Sequence, residues 1–66
     1  MIVRVIVSFE NRGGVSEGVH ATRYEPFVDD AHGRLIFDVP YSKVLTFLDS
    51  LAQSGVGRFL AHLRLP

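Results

Sequence analysis

The side chains able to do chemistry in this chain fall into a few groups. Asp29-Asp30-Ala31-His32 sets two carboxylates and an imidazole within one turn, a composition that could serve acid–base chemistry. The same residue types are what exposed turns are made of, so a turn explains them without catalysis. His20, His32 and His62, with Asp29 and Asp30, offer metal-ligand atoms, but no pair has the close helical spacing of a metal-binding signature. With no cysteine in the chain, thiolate-held zinc and disulfides are both excluded. Neither a metal nor another cofactor is expected.

Gly13-Gly14 with Gly18 has the composition of a phosphate-cradling loop. Such a loop needs a helix start directly behind the glycines and a Lys-Ser or Lys-Thr pair, whereas Asn11-Arg12-Gly13-Gly14 reads as a reversing turn. Ser8, Ser16, Ser42, Ser50 and Ser54 occupy no Gly-x-Ser-x-Gly context. No catalytic residue is assigned, and a domain of 66 residues has little room to envelop a substrate. The expectation is a protein that is not an enzyme.

Arginine is the remaining group. Arg4, Arg12, Arg23, Arg34, Arg58 and Arg64 stand against a single Lys43, and the guanidinium fork suits partner interfaces and bidentate pairing. Seven basic and seven acidic side chains give a formal net charge of zero, which argues against affinity built on a general attraction to nucleic acid.

The elements that must position these groups follow from periodicity. Ile2 to Glu10 alternates so that Val3, Val5, Val7 and Phe9 share one face of a strand. A hairpin is expected next, with a polar edge strand over Val19 to Glu25 that Pro26 ends. After the Asp29 to Gly33 turn, Leu35, Phe37 and Val39 alternate in a half-buried strand, Arg34 to Val39. From Pro40 the period changes: Tyr41, Val44, Leu45, Leu48, Leu51 and Ala52 fall on one helical face, and Gly55 closes that helix. Val56 to Pro66 fits either a helix or a strand. A strand is chosen, because a strand-helix-strand crossover supplies a two-layer core.

The expected fold is thus α+β: one domain over residues 1–66, in the order β-β-β-α-β. Its four-stranded, mostly antiparallel sheet carries one helix on one face, with the first strand between the third and fourth and the second at an edge. No run is long and apolar enough for a membrane span or signal core, so a cytoplasmic protein is expected.

If a helix covers one face, the residues of opposite parity lie on the other. These include Arg4, Ile6, Arg34, Ile36, Arg58, Leu60, His62 and Arg64, an apolar centre rimmed by guanidinium groups, and they are the candidate partner-binding residues. Phe9, Phe37 and Phe59 have the helix-facing parity, whereas RNA-recognition sheets present aromatic rings on the open side. Small cores also gain from a second subunit. The expected partner is a protein, or a second copy in a homodimer, with RNA or DNA on the arginine-rich face as the alternative.

Phe37-Asp-Val-Pro-Tyr-Ser-Lys-Val-Leu-Thr-Phe-Leu-Asp-Ser-Leu, continued through Gly55-Val56, resembles the strand-helix-strand half of ferredoxin-like domains, including those of pilus and secretion alignment proteins. That resemblance covers under half the chain, implies a split β-α-β unit, and transfers no functional residue. By size alone, the chain is similar to phage accessory proteins that inhibit host machinery, anti-CRISPR proteins among them. The function expected is that of a dimeric regulator or inhibitor.

Overall fold

The computed structural model describes residues 1–65. Its elements are β1 (Ile2–Phe9), α1 (Val15–Thr22), β2 (Phe27–Asp29), β3 (Arg34–Pro40), a 3-10 turn (Tyr41–Lys43), α2 (Val44–Gln53) and β4 (Phe59–Arg64). The sheet order is β2-β3-β1-β4, and all three pairings are antiparallel. The molecule is an α+β domain, with β1 between β3 and β4 as its apolar alternation predicts. Among the described residues, no helix is long and apolar enough to cross a membrane.

The second element differs from expectation. The strand expected over Val19 to Glu25 is absent, and Val15–Thr22 is a helix. The order is therefore β-α-β-β-α-β, two split β-α-β units rather than one, with both connecting helices contributing to one layer. Thr22 and Gly18 are buried while Val15 and Val19 are partly covered, which is the i, i+3, i+4, i+7 set of a helix. Two of those four positions carry no large apolar side chain, so hydrophobicity alone hides the period.

Gly18 has a packing reason to be there. A Cβ at this position would overlap the Val56 side chain and lie 3.2 Å from Ser54 Oγ. The missing side chain lets α1 settle onto the segment that follows α2. The chain then leaves α1 through Arg23 in the left-handed region, with φ 63°. Thr22 Oγ1 donates to Val19 O at 2.7 Å and accepts from Tyr24 N at 3.3 Å, securing the exit.

The core forms between the helices and the Val3, Val5, Val7 face of β1, with Phe37 and Val39 from β3 and Val44, Phe47 and Leu51 from α2. Phe47 stacks edge-on against both Phe37, at 4.8 Å between ring centroids, and Tyr24, at 5.7 Å. The buried stripe of α2 is rotated from the one expected. Tyr41, Leu45 and Ala52 are exposed, and Phe47, outside the predicted face, is central. Gly55 does close α2, at φ 82°.

Candidate functional site

Both helices lie on one side of the sheet, so the other side has no second layer among the described residues. Antiparallel register sorts its side chains into rows, because directly paired residues share a face. One row crosses the whole sheet: Phe27 on β2, Ile36 on β3, Ile6 on β1 and His62 on β4. A second row holds Asp29, Arg34, Ser8 and Leu60, and a third Asp38, Arg4 and Arg64. Arg58, opposite Glu10 just ahead of β4, continues the face. The eight residues singled out by parity are thus brought onto one surface.

Their environments are unequal. Ile6 is only 8% exposed, since neighbours on β1, β3 and β4 close over it, whereas Leu60 is 79% exposed. Ile6 therefore belongs to the packed interior of this layer and not to an accessible apolar centre. Phe27, 64% exposed, is a large apolar group on the face that parity reasoning missed. Taking Pro26 as the end of a strand hid it. The available signal was the Phe27, Asp29 alternation immediately before the Asp30 to Gly33 turn.

Two of the arginines are neutralised in place. Arg4 Nε and Nη2 lie 3.0 and 3.2 Å from the two carboxylate oxygens of Asp38, a bidentate fork across the β1–β3 pair. Arg34 donates to Asp29 Oδ2 from Nη2 at 2.8 Å and from Nε at 3.2 Å, and His32 Nδ1 sits 3.1 Å from the same oxygen. The hydrogen bond from Arg34 holds the Asp29 carboxyl below its ordinary range against a smaller opposing effect of desolvation, with His32 adding to the lowering. Arg4 does the same to Asp38, which in turn raises Arg4. A carboxylate held ionised by a guanidinium is a weak proton acceptor, so Asp29 and His32 make a turn clamp rather than an acid–base pair.

Arg4, Arg34, Arg58 and Arg64 face Glu10, Asp29 and Asp38, leaving the surface nearly balanced. Among the described residues Arg58 and Arg64 form no ion pair, so free positive charge collects along β4. The three histidines sit on α1, on the turn after β2 and on β4, and no group of three His, Asp or Glu among the described residues could hold a metal ion.

The glycine-rich loop differs from expectation. A helix does start directly behind Gly14, whose φ of 86° supplies the turn into α1. The Lys-Ser or Lys-Thr pair is still missing, and Glu17 in the first turn already places a carboxylate near the helix N-terminus.

No family model, curated protein or solved structure matches the chain.

Proposed function

We propose that this protein is a non-enzymatic interaction module of the cytoplasm, whose open sheet face docks on a protein partner as a regulator or inhibitor. The supporting observation is the uncovered face itself, where exposed Ile2, Phe27 and Leu60 surround a charge-balanced ladder of ion pairs. Apolar anchors among arginines with compensated charge fit a protein surface better than a polyanion. The face is also too flat to enclose a small substrate.

RNA binding is the second reading, because Phe27 is an exposed ring on a sheet of β-α-β-β-α-β topology with Arg58 and Arg64 free on the same side. Against it, the two central strands carry no aromatic on that face.

The two readings separate in one experiment. The tagged protein is used for affinity capture from the cell that makes it, with and without nuclease, beside Phe27→Asp and Ile2→Asp, both at exposed positions. A docking module retains a protein that resists nuclease and is at least tenfold depleted in both variants. Retention unchanged by both substitutions overturns the proposal, and a nuclease-sensitive, steeply salt-dependent catch transfers it to RNA.

A further inference from the structure

We infer that β4 is the seam of a two-fold homodimer, in which two copies pair β4 against β4 in antiparallel register about His62 and join their sheets into one of eight strands. The inference deepens the docking proposal, since the joined sheet sets two open faces side by side.

The backbone gives the first part of the argument. Glu10 N donates to Arg58 O at 3.1 Å, which fixes the phase of the β1–β4 ladder. Residues 58, 60, 62 and 64 turn their backbone groups toward β1, so Phe59, Ala61 and Leu63 turn theirs outward, unpaired among the described residues. The opposite edge, β2, is blunted by its length of three residues. β4 has six, no proline within it, and no charge on its helix-side row of Phe59, Ala61 and Leu63. An edge of this length, free of proline and uncharged on its helix side, is a template for another strand, the charge of Arg64 lying on its open side.

The side chains identify the occupant as a second copy. On the helix side, Leu63 is 46% exposed although it pairs with the fully buried Val5. Beside it runs a flank of α2, Leu45, Leu48 and Ala52, of which Leu45 is 82% exposed. The opposite flank, Lys43, Thr46 and Ser50, borders a cleft with α1, and Ala52 shares a cleft with Phe59, so the apolar flank overlooks β4.

Antiparallel pairing about a two-fold axis can centre on either Ala61 or His62. Centring on Ala61 sets Arg58 opposite Arg64 of the second copy, twice, and like charges directly opposed are destabilising. Centring on His62 sets Ala61 opposite Leu63, small against large, in both directions. It also lays the aliphatic stem of Arg64 against Leu60 and keeps Arg58 clear of Arg64. A standard interface buries about 800 Å² per partner, a large share of the 4773 Å² surface here. The α2 flank must therefore join the strand in the contact.

The chain has no cysteine, which makes a direct test clean. At the axis the two copies of residue 62 form a non-hydrogen-bonded pair with Cα atoms about 4.5 Å apart, inside the range a disulfide spans. His62→Cys is expected to oxidise rapidly to a covalent dimer, while Phe27→Cys, also at an exposed position but on the far edge, does not. Light scattering is expected to give twice the 7.4 kDa chain mass. Ala61→Pro removes an outward N–H without touching the β1 ladder, and Leu63→Lys places a charge in the seam; each is expected to weaken self-association at least tenfold. Circular dichroism identifies any variant that unfolds, and Leu63→Lys then decides alone. A monomer at millimolar concentration overturns the inference, as does a dimer indifferent to Leu63→Lys or cross-linking of His62→Cys no faster than Phe27→Cys. Phe27 and Ile2 are not in the seam, so loss of partner capture in their variants with the dimer intact, or the reverse, shows which proposal has failed.

Discussion

At the scale of single residues, the open face is organised by two carboxylates. Asp38 and Asp29 are each held ionised by an arginine on a neighbouring strand, and this cancels half of the arginine charge that the sequence places there. Because both carboxyls titrate lower in the folded protein than in the unfolded chain, the stability they contribute is fully present above the ordinary aspartate pKa of about 3.9. It is lost as the pH falls from there through the depressed folded values. Urea unfolding followed against pH is expected to show this acid decline, and the Asp29→Asn, Asp38→Asn double variant is expected to be less stable at neutral pH with a flatter acid limb. Parallel acid limbs would place the decline in other groups. The pairs themselves could not be found by motif, since Arg4 and Asp38 are 34 positions apart and meet only through the β1–β3 register.

At the scale of elements, α1 departs furthest from what the sequence displays. Its inward positions are Val15, Gly18, Val19 and Thr22, where a glycine usually breaks helices and a threonine usually marks turns or strands. Both are there for fit. Gly18 admits Val56, and Thr22 satisfies two backbone groups at the helix end. Gly18→Ala gains about 1 kcal/mol of helix propensity but overpacks the α1–Val56 contact, a cost of about 1–3 kcal/mol. A net loss of stability is expected by thermal or urea unfolding. Val56→Ala relieves the same overlap, so the double variant is expected to lose about 1 kcal/mol less than the two single losses added together. Strict additivity would mean that the contact does not constrain the helix. By contrast, β1 was plain in the sequence, because it draws its inward positions from large apolar residues at a single period; the presence of α2 was plain too, but its inward face was not, since exposed Leu45 shares the apolar period with buried Val44 and Leu51.

At the scale of the whole molecule, the core is thin. One helical layer covers one sheet face, and a chain of this length has about 3–10 kcal/mol of stability to draw on. Burial of Leu63, Leu45 and the open backbone edge of β4 against a second copy would add to it. If the seam forms, unfolding is coupled to dissociation and the thermal midpoint rises with protein concentration. A midpoint that climbs several degrees over a hundredfold concentration range is the expected result, and Leu63→Lys is expected to abolish that dependence. A midpoint independent of concentration in the wild-type protein would count against the seam.

Sequence alone determined which residues of the strands β1, β3 and β4 share a face. Alternation with a period of two assigned Val3, Val5, Val7 and Phe37 to the core, and Arg4, Ile36, Leu60 and Arg64 to the other side, because that period is a local property of an extended chain. Tertiary structure decided what those faces contain. It sank Ile6 among its neighbours, raised Phe27 into view, tied Arg4 and Arg34 to carboxylates, and turned residues 15–22 into a helix around a missing side chain. Each of these depends on contacts between segments distant in the chain. The same separation holds for β4: its alternation is local, but its exposure as an edge exists only once β1 has taken its other side.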